Sequence, residues 1–568
     1  MTGRDALLLT GILVIALGSC TVPTHREQVK AGPLGVIADT AMVVSAHPAA
    51  TAVGVQVLRD GGNAMDAAVA VHWTLAVVLP WAGNIGGGGF MVVRDGDGRA
   101  YALDFRETAP AAAHRDLYLD AQGAALPEQS LYGHRAVGVP GSVAGLFALH
   151  DSLGRLPMHR LIRPAIDLAR NGVVLTRREA EELMEALPRI RQHSTAPNAF
   201  TSRSQWSEGD TLVQPELART LERIRDEGAN GFYGGTTADL LVAEMQRGDG
   251  LITHADLRAY RPSWRAPVRS TYRDVEVIGM PPPSSGGVLL MQLLGGMEPM
   301  DVRANGRSAA TLHRMIEVER RAYADRATHL GDPAAMQVST DALIDSAYIA
   351  GRMAGIDPRA ATPSAMIAAG SIGPEHDQTT HFSIVDGEGN AVACTTTLNG
   401  GYGSCVVVGG AGFVLNNEMD DFSVAPGVPN MYGLVGGEVN AVAPGHRMLS
   451  SMTPTIVTRG GKLFMVLGTP GGSTIITSVF QVLLNVIDHG MGMQQAVNAP
   501  RFHHQWLPDV VFEERGAIPR SDSLALTRMG HRITVRPPIG RVDAVLVLPD
   551  GRLEGGADPR GDDEAAGY

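Results

Sequence analysis

Thr379 and Thr397 are the residues of this chain best placed to do chemistry. Residues 380–385 and 391–398 are rich in β-branched and apolar side chains, and Asp386-Gly387-Glu388-Gly389-Asn390 between them is turn chemistry. A hairpin centred on Glu388 opposes Asp386 to Asn390 and Thr379 to Thr397. Opposed residues lie roughly 4.5–5.5 Å apart at Cα, so the two hydroxyls can meet. Asn399 follows on the same strand face. Threonine is a poor nucleophile without a base beside it. One solution makes it N-terminal, so that its own α-amine, with a reference pKa of about 7.7–8.0, takes the proton. Here that requires a cut at the Gln378–Thr379 bond. The same pattern also suits an ordinary strand, where threonine packs well.

Several elements must hold these residues in place. Residues 64–79 read as a buried helix, and 90–93 and 100–105 flank Asp95-Gly96-Asp97-Gly98 as another hairpin. Residues 141–190 and 214–260 carry Leu, Ile and Ala at helical spacing, and 307–330 continues as helix. The stretch 358–374 is loose in composition and reads as an exposed tail leading to Gln378. After Thr379, strands are expected to dominate to about Val466. A helix over roughly 473–490 and a strand pair at 543–548 and 552–555 close the chain.

Composition sets outer limits. The chain has 568 residues, 44% of them hydrophobic, enough for a large core, and its net charge of −12 argues against nucleic-acid binding through a basic surface. Residues 6–19 are an apolar run, too short to span a bilayer comfortably. Leu17-Gly18-Ser19-Cys20 resembles a bacterial lipoprotein cleavage box, which would leave Cys20 lipidated; an ordinary secretory signal ending near the same place is the alternative. Residues 1–20 are therefore read as a signal peptide and 21–35 as a tether, which implies a periplasmic location with membrane contact only through a lipid anchor. Cys394 and Cys405 fall opposite each other if Asn399-Gly400 makes a hairpin turn. An oxidising compartment permits a disulfide there, and two buried thiols are the competing reading. No cysteine or histidine set has metal-ligand spacing, and Gly86-Gly87-Gly88-Gly89 is not a phosphate loop, so no metal or cofactor is expected.

The strand residues belong to a longer pattern. Thr379-Thr380-His381-x-Ser383-Ile384, with Gly389-Asn390, Thr395-x-Thr397-Leu398-Asn399 and Tyr402-Gly403, resembles the signature of the γ-glutamyltranspeptidase family. The resemblance runs from about Val36 to Tyr568. It takes in Asp104-Phe105-Arg106-Glu107, Pro281-Pro282-Pro283-Ser284-Ser285-Gly286-Gly287, Leu449-Ser450-Ser451-Met452 and Gly468-Thr469-Pro470-Gly471-Gly472-Ser473.

It implies an α+β fold, a four-layer α-β-β-α sandwich of the N-terminal nucleophile hydrolase type. It also implies autocleavage into a large subunit, 21–378, and a small subunit, 379–568, which pair as a heterodimer. By resemblance, Thr379 is the nucleophile, Thr397 bonds its amine, and Gly471 and Gly472 form the oxyanion hole. Arg106, Ser450 and Ser451 take the substrate carboxylate. Asp421, with Glu418 beside it, takes the ammonium, and Asn399 also binds substrate. Some family members carry Gln where this chain has Glu418, and the extra acid is expected to raise a pKa. Residues 426–437 match a lid with Tyr432 over the pocket. The implied activity moves the γ-glutamyl group of glutathione and related amides to water or to amino acid and peptide acceptors. A glutaryl (β-lactam side-chain) acylase on the same scaffold and an uncleaved binding lipoprotein are the competing readings.

Overall fold

The computed structural model describes residues 35–367, 379–425 and 427–568, all within the unit Pro33–Tyr568. Cys20 and Gln378 lie outside the described residues.

Two seven-stranded antiparallel sheets form the middle of the molecule. One runs Glu564–Gly567, Met42–Ser45, Thr380–Val385, Ala391–Thr397, Gly88–Arg94, Ala100–Asp104, Ser263–Arg265. The other runs Val36–Ala38, Leu553–Gly556, Asp543–Val547, Lys462–Gly468, Thr455–Arg459, Val275–Gly279, Val268–Tyr272. Strand alternation sorts their side chains into layers. Met42, Val44, Phe90, Val92, Ile456, Val466 and Val545 fill the space between the sheets. Val43, Met91, Val93 and Phe382 point the other way, onto a core built with the helices Pro48–Arg59, Ala64–Val78 and Met158–Asn171. Val277, Val457, Met465 and Leu467 face the opposite helical layer, Gly286–Met297, Ala309–His329 and Thr474–Ile487. The result is helix, sheet, sheet, helix.

Helix Ala64–Val78 is buried along its whole length, as its unbroken apolar run requires. Asn63 and Asp66 close its first turn as a capping box. Asp386 ties it to the central hairpin: one carboxylate oxygen accepts from the amides of Glu388 and Asn390, the other from the amide of Ala64 at 2.8 Å. The hairpin is centred on Glu388 as read, with Thr380 opposite Thr396 and Val385 opposite Ala391.

Two expectations are corrected and a third is refined. Strands do not dominate beyond Thr397: from 398 to 454 the chain forms short 3-10 turns and isolated bridges, and regular strand resumes at Thr455. That region is rich in Gly, Asn and Pro, and its side chains hydrogen-bond local backbone in place of a ladder. Asn399-Gly400 is not a hairpin turn. Asn399, Tyr402 and Cys405 each adopt positive φ, the strand breaks there, and both cysteines are free and buried. The stretch 358–367 is largely exposed, as read, but it is anchored at two points. Ser364 is buried, its amide donating to Asp509 at 2.8 Å and its hydroxyl accepting from Arg320 at 2.6 Å, and Trp506 Nε1 donates to the Ile367 carbonyl at 3.0 Å.

Candidate active site

Thr379 stands immediately before the strand Thr380–Val385, at the end of a central strand of its sheet. Its hydroxyl donates to that of Thr397 at 3.5 Å. The Thr397 oxygen also accepts the Asn399 N–H at 2.8 Å. Asn399 takes φ +73°, which turns the chain out of the strand, and its side chain donates to the Asn417 carbonyl at 3.1 Å. Below the threonines, His381 bonds Thr395 at 2.8 Å and Ser383 at 3.1 Å. Burial pulls its pKa down to about 3, so it is a neutral structural group.

The second sheet supplies the opposite wall. Strand Lys462–Gly468 approaches so closely that a Cβ on Gly468 would sit 2.3 Å from the His381 ring. The turn that follows carries Gly471 at φ +136° and Gly472 at φ +51°, conformations that favour glycine. Neither amide has an acceptor among the described residues. Helix Thr474–Ile487 begins directly behind them, so its positive end adds to the donors. Ser473 does not cap that helix; its hydroxyl donates to Gln505 at 2.6 Å.

A narrow cleft lies over Thr379, lined among others by Arg106, Asn399, Asp421, Ser450, Ser451 and Gly472. Tyr432 covers one side. Its hydroxyl donates to the Asn399 carbonyl at 2.6 Å, and its ring lies where a Cβ on Gly472 would be. Asn430 pins this lid, bonding Asp421 at 2.8 Å through its amide nitrogen and accepting from the Tyr432 amide at 3.0 Å.

Arg106 is buried, with one terminal nitrogen on Glu418 and the other on Asp421. Burial works against its charge, but Glu418, Asp421 and Glu107 outweigh this and hold its pKa above the ordinary arginine value. The acids feel the same enclosure. Burial pushes Glu107 up to about 8 against the pull of Arg106, lifts Glu418 well above the carboxylate range, and raises Asp421. Burial leads each of these shifts; for Glu418 the nearby Glu107 and Asp421 add to it. Ser450 is fixed through its backbone: its amide donates to Pro283 at 2.9 Å, and its carbonyl accepts from the Ser285 hydroxyl at 2.7 Å. The Ser451 hydroxyl is buried without a partner among the described residues.

The structure thus gathers Thr379, Thr397, Arg106, Asn399, Glu418, Asp421, Tyr432, Ser450, Ser451, Gly471 and Gly472 around one site. Two neighbours escaped the sequence reading. Glu107 is legible only as the companion of Arg106. Arg326 lines the cleft from helix Ala309–His329; that helix buries Glu317, Glu319, Arg320, Arg321 and Asp325 as well, so charge on it does not mark the solvent face. His313, Glu317 and His531 come within 4.8 Å of one another, as metal ligands would. Most of their ligating atoms are already engaged: the histidines bond each other at 2.8 Å, and Glu317 accepts from Arg321 at 2.6 Å and Arg320 at 3.3 Å, while His531 Nδ1 is buried without a partner among the described residues.

A threonine heading a central strand of an α-β-β-α sandwich, opposite a glycine turn rich in free amides, defines an N-terminal nucleophile hydrolase. The comparisons narrow the class. The gamma-glutamyltranspeptidase family model matches residues 50–568. The chain is 47% identical over 541 residues to a glutathione hydrolase proenzyme of Escherichia coli K12, covering 94% of this chain and 93% of the relative. Among solved structures, a cephalosporin acylase from Bacillus halodurans superposes with TM-score 0.83 at 28% identity, covering 98% of this chain and 99% of the other. A Helicobacter pylori gamma-glutamyltranspeptidase chain superposes with TM-score 0.56 at 43% identity, covering 59% and 95% respectively. This chain belongs to the γ-glutamyltranspeptidase family.

Proposed function

We propose that this chain is a γ-glutamyltransferase and glutathione hydrolase that matures by cutting itself at Gln378–Thr379. The observation that carries the reading is the Thr379 hydroxyl, 3.5 Å from that of Thr397, in a cleft that also presents Arg106, Asp421, Ser450 and Ser451. In maturation the Thr379 oxygen attacks the Gln378 carbonyl and the C–N bond breaks as the acyl group passes to oxygen. Water then cleaves that ester. The product is a small subunit, 379–568, paired with a large subunit that ends at Gln378.

The freed α-amine becomes the base. It takes the hydroxyl proton as the oxygen attacks the γ-amide carbonyl of the donor, then returns a proton to the departing amine. The Gly471 and Gly472 amides face the developing oxyanion; one such donor lowers a barrier by about 2.7–4 kcal/mol. Water, or the amine of an amino acid or peptide, then takes the γ-glutamyl group from Thr379. Asp421 and Glu418 hold the donor ammonium, Asn399 shapes the site beside it, and Ser450, Ser451 and Arg106 form the carboxylate side. Tyr432 limits water access. No step needs a cofactor.

The acidic cluster favours this donor over a glutaryl side chain, which has no ammonium to place against Asp421. We also propose that residues 1–20 direct export, and that Cys20 carries the lipid holding the enzyme at the periplasmic face of a membrane.

Intact mass and N-terminal sequencing of the purified protein test the scheme. Two fragments, the smaller starting at Thr379, together with release of glutamate from glutathione, are the expected result. A single uncut chain under native conditions overturns it.

A further inference from the structure

The lid and the glycine turn are joined twice: by the Tyr432 ring lying against Gly472, and through one buried side chain, Gln505. Gln505 is 3% exposed. Its Oε1 accepts from the Ser473 hydroxyl at 2.6 Å and from His503 Nε2 at 2.8 Å, and its Nε2 donates to the Tyr432 carbonyl at 3.1 Å. These partners fix the amide's orientation. A carbonyl only accepts, so the nitrogen must face Tyr432 and the oxygen the two donors. Ser473 directly follows Gly472 and opens helix Thr474–Ile487. One amide therefore spans from the lid backbone to the residue beside the oxyanion turn.

The segment that carries Gln505 is held at every neighbouring residue. The Phe502 amide donates to the Gln481 side chain at 3.2 Å, and its carbonyl accepts from it at 2.6 Å. His503 Nδ1 meets the Thr477 hydroxyl at 2.8 Å, and burial draws the His503 pKa down to about 3, so the ring stays neutral. The His504 amide donates to the buried Glu319 carboxyl at 3.0 Å. Trp506 Nε1 donates to the Ser364 and Ile367 carbonyls at 3.1 and 3.0 Å. Gln505 is thus a rigid reference point. The lid's other pin differs in kind: Asn430 bonds Asp421, a member of the substrate site, whereas Gln505 holds the lid from outside the cleft lining.

We propose that Gln505 is a positioning residue that holds the Tyr432 backbone at a set distance from the oxyanion turn, keeping the lid over the acyl-enzyme so that an amine acceptor competes better with water. The proposal rests on the γ-glutamyl-Thr379 reading above and goes beyond it by assigning a residue to the choice between hydrolysis and transfer. Gln505 touches neither donor nor nucleophile; it acts through Tyr432 and Ser473.

The test follows one acyl-enzyme to its two products. With γ-glutamyl p-nitroanilide as donor and glycylglycine as acceptor, the ratio of free glutamate to γ-glutamyl-glycylglycine does not depend on how much protein has matured. A wild-type protein that releases no nitroaniline overturns the enzymatic reading itself; one that releases it but makes no transfer product overturns the shielding proposed here. Gln505→Met keeps the length of the side chain and removes both ends of the link. It should raise the ratio of hydrolysis to transfer by roughly 3- to 10-fold, the range one neutral hydrogen bond spans. Amide hydrogen exchange over residues 427–437 should quicken by a similar factor, with exchange in the hairpin 380–397 unchanged. An unchanged product ratio or unchanged lid exchange overturns the proposal even if kcat falls, because general loosening lowers activity without redirecting the acyl group. Should Gln505→Met not mature, Gln505→Glu keeps the acceptor for Ser473 and His503 and alters only the donor. Its ratio should stay near the wild-type value in acid, where a protonated carboxyl donates to the Tyr432 carbonyl, and climb above it as pH rises. A ratio that follows the wild type at every pH again overturns the proposal.

Discussion

The Thr397 hydroxyl takes two hydrogen bonds at once, from the Thr379 hydroxyl at 3.5 Å and from the Asn399 amide at 2.8 Å. One side chain therefore fixes the nucleophile and the point where the chain leaves the strand. Thr397→Val keeps the shape and removes the oxygen, leaving a buried N–H unpaired. A loss of about 1–3 kcal/mol is expected from such a vacancy. Maturation and turnover should both slow by on the order of 10- to 100-fold, read from a mass time course and glutathione hydrolysis. Thr397→Ser should restore most of both.

The glycine turn should be intolerant of a single methyl. At Gly472, φ +51° alone strains an alanine, and its Cβ would lie 2.4 Å from the Tyr432 ring. Gly472→Ala should therefore displace both the oxyanion donor and the lid. We expect kcat to fall by roughly 100- to 1000-fold, the range for losing one such donor. Tyr432→Phe is the control: it keeps the ring against Gly472 and loses the hydroxyl that bonds the Asn399 carbonyl, so its kcat should fall far less.

The sequence exposed the site well and the route between its parts poorly. Alternation and turn chemistry placed Thr379 opposite Thr397 because register is a local property of a hairpin. The family motif carried Arg106, Asp421, Ser450 and Gly472 to one place. The hairpin logic failed at Asn399-Gly400, where a buried asparagine outcompetes the ladder: Asn417 accepts the Gly400 amide at 2.7 Å. Arg326 was invisible because helix Ala309–His329 buries charge on more than one side. The strand Glu564–Gly567 was missed because Gly and Ala give it little strand character, and its pairing with Met42–Ser45 comes from the other end of the chain.

Glu107 makes a pH prediction. Burial raises its pKa from 4.5 to about 8 in the folded protein, so the folded state binds this proton more tightly than the unfolded one. The stability it contributes is fully present below about 4.5 and is lost as pH climbs through about 8. Glu107→Gln mimics the protonated form. The variant should match the wild-type Tm near pH 5 and exceed it near pH 9. Parallel Tm curves across that range would show that Glu107 does not titrate there.

Cys394 and Cys405 should behave as inert core groups. Burial drives the Cys394 thiol well above its ordinary pKa and the Cys405 thiol up to about 12. Thiolate is the reactive form, so neither should react at neutral pH while the protein is folded. In protein lacking residues 1–20, a thiol reagent should therefore label nothing natively and both cysteines in denaturant, with or without prior reduction. Labelling that appears only after reduction would establish a disulfide. That bond would require the strand after Thr397 to turn back on itself, against the outward path that positive φ at Asn399 and Tyr402 gives it.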